Sequence, residues 1–199
     1  MKNHSYNPSI TEPIRRFDGS IYGVCRLTPL MLPRQENSTT LNLHQLVSTP
    51  NQPINETTLI IIPLQGTELQ QLIMAPDRYS YLQAPSVRLA INYAHLLANF
   101  SALQKIASQF RFWLYDFAPP GANWSAIEAF PLCGIAFNED FFNENYQKFT
   151  FPYFLESLQQ RNLDLILRTG ALQLPVEHYT SLYLTGWQQQ HSPQPLFTL

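Results

Sequence analysis

The segment TTLIIIPL, Thr57 to Leu64, places the strongest constraint on the fold. It is rich in β-branched residues, continuously apolar over its centre, and closed by Pro63. A strand that is apolar on both faces is usually central in a sheet and covered above and below, whereas a half-exposed strand alternates apolar and polar side chains. The sequence therefore predicts a sheet with this strand in its interior.

Several other segments have the composition of strands, because apolar and β-branched or aromatic residues recur in short runs bounded by turn residues. The candidates are IYGVCRL (21–27), LNLHQLV (41–47), residues 111–118 of the aromatic run FRFWLYDFA, FPLCGIAF (130–137) and LDLILRTG (163–170). These segments are spread over the whole chain, so one core is expected to involve most of it.

The best helix is predicted over Ser86 to Phe110. Ser86 is a good N-cap, no glycine or proline interrupts the run, and apolar residues from Leu89 onward are spaced alternately by four and three. Shorter helices are predicted after Gly66, from Pro152 and from Pro175, since proline is well tolerated in the first turn of a helix.

These elements predict an α+β fold, with mixed α/β as the alternative: a single mixed or antiparallel sheet packed against one long helix (about 86–110), plus shorter C-terminal helices. Residues 1–13, with two prolines, are predicted to be a flexible arm. Residues 14–187 are predicted to be one globular domain, and residues 188–199 an amide- and proline-rich tail. A chain of 199 residues is long enough to build its own core.

Charge is unusually sparse. Charged residues make up 13% of the chain, against roughly 25% in ordinary soluble domains, and polarity comes instead from 17 Gln and 13 Asn. The net charge of −2 without a basic run argues against direct nucleic-acid binding. No apolar run is long enough to span a bilayer, and the first ten residues do not resemble a secretory signal, so a cytoplasmic location is predicted.

No local motif assigns a chemistry. The chain has no glycine-rich phosphate loop of the GxGxxG or GxxxxGK[ST] kind, and no HExxH, CxxC or GxSxG. Cys25 and Cys133 lie in apolar segments far apart and are predicted to be buried, unpaired thiols. No cofactor and no metal are predicted.

Asp116 is the most interesting acid, because it lies in the aromatic strand FRFWLYDF. Strict alternation would put Trp113, Tyr115 and Phe117 on one face and Asp116 on the other. Asp116 would then contact solvent or cap the following turn; if its face is buried, the carboxylate would suit acid–base catalysis. The candidate catalytic set on that alternative is Asp116, Glu128, Tyr115 and His95.

A second candidate surface is the aromatic run FFNENYQKFTFPYF, whose rings follow no single period and are hard to bury together. It is predicted to bind a partner, through Phe141, Phe142, Tyr146, Phe149, Phe151 and Tyr153.

A surface with few charges and surplus aromatics tends to be covered by a partner. The main prediction is therefore a non-enzymatic adaptor or structural subunit of a larger assembly, binding a protein partner or a second copy of itself. The alternative is a small-molecule-binding protein or enzyme, with an apolar pocket under the long helix and the acid–base residues at its mouth. A third hypothesis is a subunit that stacks on nucleic acid within a complex whose basic residues come from other chains.

Overall fold

The computed structural model describes residues 11–27, 58–117 and 124–191. Over these ranges, eight strands hydrogen-bond in sequence order and the last pairs with the first, which closes the sheet into a barrel. The strands are β1 (Thr11–Arg15), β2 (Ile21–Arg26), β3 (Leu59–Pro63), β4 (Val87–Ile91), β5 (Phe112–Phe117), β6 (Leu132–Asn138), β7 (Asp164–Thr169) and β8 (Gly186–Gln189).

Helices connect successive strands from β3 onward. They are α1 (Gly66–Met74), a 3₁₀ segment (Pro76–Gln83), α2 (Tyr93–Ala98), α3 (Phe100–Ile106), α4 (Trp124–Ala129), α5 (Glu139–Asn145), α6 (Phe151–Gln159) and α7 (Val176–Ser181). Within the described ranges, every helix is too short or too polar to cross a membrane.

Strand direction defines the two ends of the barrel. Neighbouring strands from β2 to β8 are parallel, whereas β1 is antiparallel to both β2 and β8. The carboxyl ends of β2 to β8 and the amino end of β1 therefore meet at one end, which we call the C-terminal mouth. In closed barrels of alternating strands and helices, this is the end at which ligands bind.

Buried apolar side chains form two clusters. The larger cluster lies between the barrel wall and the helices and includes Ile60, Leu89, Phe112 and Leu165. The smaller one draws only on strand residues and fills the barrel interior: Ile14, Cys25, Leu59, Ile61, Ala90, Trp113, Tyr115, Ala136 and Ile166. This arrangement explains why every residue of β3 is buried, since one face of the strand contacts helices and the other the interior.

The fold-class prediction was wrong. The protein is neither a single open sheet nor packed on one long helix, because the segment 86–110 begins with strand β4 and continues as the short helices α2 and α3. Leu89, which suits the helical spacing, lies on a strand paired with β3 on one side and with Phe112 of β5 on the other. Hydrogen bonding of β4 to a strand on each side therefore decides its conformation, although the spacing of its apolar residues also fits a helix.

Most individual strand predictions were confirmed, namely those for TTLIIIPL, IYGVCRL, FRFWLYDF, FPLCGIAF and LDLILRTG. The predicted strand LNLHQLV lies outside the described residues. Three residues given to the predicted arm, Thr11, Glu12 and Pro13, belong to β1, and Gln188 and Gln189 of the predicted tail belong to β8.

The amino end of the barrel is closed by Tyr22. A register shift between β1 and β2 leaves Tyr22 as the extra residue of a bulge, and its hydroxyl donates to Asp164 Oδ2 at 2.7 Å. Burial, together with this acceptor, raises the pKa of Tyr22. The Arg16 guanidinium lies 4.6 Å from the centre of the Tyr22 ring. These contacts fill the end opposite to the C-terminal mouth.

The two thiols should differ sharply in reactivity. Cys25 is fully buried in the barrel interior, and burial raises its pKa to about 12, whereas Cys133 is half-buried. Because the thiolate is the reactive form, we expect a colorimetric thiol reagent at pH 8 to titrate Cys133 in the native protein and Cys25 only after denaturation. A Cys133→Ser variant should show no prompt reaction. A fast reaction of that variant in native buffer would contradict the packing described.

Candidate functional site at the C-terminal mouth

Glu12 organises a buried polar network just inside the C-terminal mouth. Its side chain is completely buried, and its carboxylate accepts hydrogen bonds from Gln188 Nε2 and from the backbone N–H of His191, the latter at 3.1 Å. Arg168 Nε lies 3.5 Å from Glu12 Oε2. Glu12 thereby joins β1 to β7 and β8, the strands next to the closure of the barrel.

Arg168 is the cation of this network. On β7 its side chain follows Asp164 and Ile166 into the barrel interior, and only 4% of it is exposed. Its Nη1 lies 3.4 Å from Asp116 Oδ1, so one guanidinium contacts two carboxylates from opposite sides of the barrel. A buried charge of this kind needs such partners, because desolvation of an unpaired guanidinium is costly.

Asp116 reaches Arg168 through a backbone irregularity. Its φ is 50°, in the left-handed region, and the register of β5 against β6 shifts between Leu114 and Phe117. The side chains therefore do not alternate strictly here. Phe117 lies with Phe112 and Leu114 in the larger cluster, and Asp116 contacts Arg168 at the mouth. The Asp116 side chain is 19% exposed, so it is the member of the ion-pair group that solvent reaches.

Further buried polar atoms lie beside and below Arg168 in the barrel interior. The Tyr115 hydroxyl and Gln188 Oε1 are buried without a hydrogen-bond partner among the described residues. Burial raises the pKa of Tyr115 well above its ordinary value, and the neighbouring Cys25 adds to the shift. Buried waters are the usual partners of such atoms. The upper barrel interior therefore carries buried polar atoms among its apolar side chains.

The structure separates the sequence-predicted catalytic residues. Asp116 and Tyr115 lie at and just below the mouth. His95 is half-buried on α2, beside the start of α1, and burial lowers its pKa. Glu128 is exposed on α4, four residues before β6 begins, and its backbone carbonyl accepts from Arg161 at 2.9 Å. Glu128 therefore lies toward the amino end of the barrel and away from the other candidates.

The aromatic residues predicted to bind a partner are mostly part of the packed outer layer. Phe142 and Phe151 are buried, and Phe141 and Tyr146 are partly buried against the larger cluster. Phe149 and Tyr153 are 81% and 60% exposed and contact each other edge to face. The run thus divides into core residues and one exposed aromatic pair, whose role in partner binding stays a prediction.

Sequence reasoning did not single out Glu12, Arg168 or Gln188. Arg168 carried a usable signal, because a charged residue in the apolar strand LDLILRTG must either face solvent or have a buried partner. Glu12 had no comparable signal, since the surrounding prolines and polar residues are typical of a terminal arm.

Metal-binding capacity at this site is limited by the residues present. Across residues 11–27, 58–117 and 124–191, no three His, Cys, Asp or Glu side chains come together as a possible metal site. At the mouth, the two nearest carboxylates, Glu12 and Asp116, already contact Arg168.

An open pocket of about 350 Å³ lies at the opposite end, lined by Gln159, Asn162, Leu163, Asp164, Tyr183, Leu184 and Thr185. These residues precede or begin β7 and β8, so the pocket is remote from the ion-pair network. We place the candidate site at the mouth because the buried charges are there.

Comparison with known proteins gives a structural match without a sequence match. No family model matches the chain, and no curated protein matches it. The PaMucR phosphodiesterase in complex with c-di-GMP superposes with a TM-score of 0.62 at 14% identity, covering 93% of this chain and 90% of that one. The FimX EAL domain from Pseudomonas aeruginosa bound to c-di-GMP gives 0.61 at 12% identity, with 91% and 87% covered.

A third similar structure, the calcium and c-di-GMP complex of Klebsiella pneumoniae BlrP1, gives a TM-score of 0.60 at 9% identity. It covers 91% of this chain and 53% of BlrP1. All three identities are low, so the likeness concerns the fold.

These matches overturn the main functional prediction. A non-enzymatic adaptor or complex subunit with an α+β fold was wrong, because the chain is a closed barrel and its structural neighbours include a phosphodiesterase and domains bound to a cyclic dinucleotide. The alternative, a small-molecule-binding protein or enzyme, agrees better with this fold. The chain has the eight-stranded barrel fold of the EAL-domain structures.

Proposed function

We propose that this protein binds a cyclic dinucleotide, with c-di-GMP as the first candidate, at the C-terminal mouth of its barrel, and that it does so without hydrolysing it. The observation that carries the proposal is the pairing of a buried Arg168 with the partly exposed Asp116 at the mouth. The c-di-GMP complexes of similarly folded proteins supply the choice of ligand.

Arg168 is suited to recognise a phosphate. A guanidinium offers a planar set of donors that matches two phosphate oxygens, and it stays charged at any physiological pH. Its contact with Asp116 is long, at 3.4 Å, and solvent reaches the acid. We therefore propose that one phosphate of the ligand displaces Asp116 as the outer partner of Arg168, while Glu12 keeps the guanidinium in place from below.

The proposal of binding without hydrolysis is supported by the side chains that the described residues bring to the mouth. Metal-assisted hydrolysis of a phosphodiester needs a cluster of ligands that holds the ion next to the phosphate. The BlrP1 complex contains calcium, but the described part of this chain brings no three acidic, histidine or cysteine side chains together to hold such an ion. The described residues at the mouth do not fit a calcium site, and we propose a receptor instead of a phosphodiesterase.

Isothermal titration with c-di-GMP in EDTA tests this proposal. We expect saturable binding by the unmodified protein and an affinity about 30-fold lower for Arg168→Lys, because lysine cannot contact two oxygens with a planar fork. Asp116→Asn should bind about tenfold more tightly, since it removes a competing negative charge. Asparagine tolerates the left-handed backbone at this position, so the fold is preserved.

Arg111→Gln is the matched control. Arg111 is exposed, lies next to the amino end of β5 and contacts the backbone carbonyl of Gln83, far from the mouth. The affinity of the Arg111→Gln variant for c-di-GMP should equal that of the unmodified protein. No saturable heat with the unmodified protein, or equal losses in Arg111→Gln and Arg168→Lys, would refute binding at this site. Appearance of the linear dinucleotide with Mg²⁺ or Ca²⁺ present would refute the receptor assignment.

A cytoplasmic location stays a prediction of the sequence.

A further inference from the structure

At the mouth of the barrel, the guanidinium of Arg168 lies between the carboxylates of Glu12 and Asp116. Glu12 is completely buried and Arg168 almost so, and the guanidinium lies between Glu12 and Asp116 at 3.5 and 3.4 Å. Two acids at the end of a low-dielectric barrel repel each other and need a counter-charge. In this chain the counter-charge is part of the polypeptide.

We propose that Arg168 performs the electrostatic task of a bound divalent cation, so that the mouth is stable and binds its ligand without metal. The proposal rests on the proposed function only for where the ligand binds, because the charge balance of Glu12, Arg168 and Asp116 exists without any ligand. A guanidinium provides fixed directional donors but one positive charge, whereas Ca²⁺ requires six to eight oxygen ligands. Glu12 and Asp116 both accept from the Arg168 guanidinium. The described residues do not bring together even three acidic, histidine or cysteine side chains to coordinate Ca²⁺.

Hydrogen bonds around Glu12 support this assignment. Gln188 and the backbone of His191 direct N–H groups at the carboxylate, and both donors would have to be replaced if Glu12 turned toward a metal ion. Donors of this kind hold the acid toward Arg168. The residues around Glu12 therefore orient its carboxylate toward the Arg168 guanidinium.

Thermal unfolding in EDTA, Mg²⁺ and Ca²⁺ tests the proposal without any nucleotide. We expect the Tm of the unmodified protein to change by less than about 1 °C when calcium is added to about 5 mM, which exceeds the dissociation constants of weak calcium sites. Arg168→Gln should lower the Tm by about 10 °C in EDTA, because it leaves a buried carboxylate without its cation. Calcium should then return about 3 °C of that loss, since it neutralises the two acids that the substitution leaves without a counter-charge.

The double variant Glu12→Gln with Arg168→Gln separates charge balance from general packing. It should unfold at a higher Tm than Arg168→Gln alone and should not respond to calcium. Arg168→Lys keeps the charge, so it should fold and be insensitive to metal even if Arg168→Gln does not accumulate.

A calcium-dependent rise of more than about 3 °C in the unmodified protein, lost in Asp116→Asn, would overturn the proposal. The proposal would also be overturned if Arg168→Gln folded with an unchanged Tm, or if its Tm did not respond to calcium. The same holds if Arg168→Lys required calcium to fold. These readouts are independent of nucleotide titration, so a failure to bind c-di-GMP would leave their interpretation unchanged.

Discussion

Glu12→Ala is expected to lower the free energy of unfolding by about 3 to 5 kcal/mol, the range seen when one partner of a buried ion pair is removed. The substitution deprives Arg168, Gln188 and the His191 N–H of a shared acceptor inside the barrel. It also weakens the closure of the barrel, since Glu12 lies on the strand that joins β2 to β8. Urea unfolding followed by circular dichroism measures the change.

Glu177→Ala is the control for this prediction. Glu177 is exposed in the first turn of α7, and its removal should change the unfolding free energy by less than about 0.5 kcal/mol. A loss below about 1 kcal/mol for Glu12→Ala would show that the buried carboxylate contributes little to closing the barrel.

Local patterns in the sequence predicted the strands better than the architecture. Within TTLIIIPL, the strand Leu59–Pro63 is buried on both faces as its composition indicates, but the same pattern is compatible with an open sheet and with a barrel. Closure depends on the pairing of Ile14 with Gln188, near opposite ends of the chain, and no neighbouring residues encode that contact.

The fold class was predicted wrongly mainly because one strand was predicted as the start of a helix. VRLAI, Val87 to Ile91, alternates along β4, yet its apolar residues also agree with the helical spacing that continues through α2 and α3. Interpreted as a strand, it would have completed the strand–helix alternation that indicates parallel pairing. The helical interpretation won because Ser86 suits an N-cap and no glycine or proline breaks the run.

The candidate site was only partly accessible to sequence reasoning. Asp116 and Tyr115 were identified from the aromatic strand, but the orientation of Asp116 depends on a positive φ that alternation cannot anticipate. Arg168 and Glu12 become meaningful only as a pair, and 156 positions separate them. Long-range pairing of charges is therefore the information that the single sequence did not provide.

Gly134→Ala should destabilise the barrel by about 3 kcal/mol, because overpacking a filled interior forces side chains or backbone to shift. A Cβ at position 134 would lie 2.7 Å from Trp113 Cζ2 and 2.8 Å from the backbone oxygen of Asp164. Gly170→Ala is the matched control: nothing lies within 4 Å of the added Cβ, and its effect should stay within about 0.5 kcal/mol.

Combining Gly134→Ala with Trp113→Leu tests whether the indole fills the barrel. Trp113→Leu alone creates a cavity, but in the double variant the new methyl group occupies part of it. The combined loss should therefore be smaller than the sum of the single losses by about 1 to 2 kcal/mol in urea unfolding. Additive losses would mean that the indole does not cover Gly134. Coupled losses would show that the indole covers Gly134 and fills the barrel axis below Tyr115, so a ligand at the C-terminal mouth would bind above it, against Arg168 and Asp116.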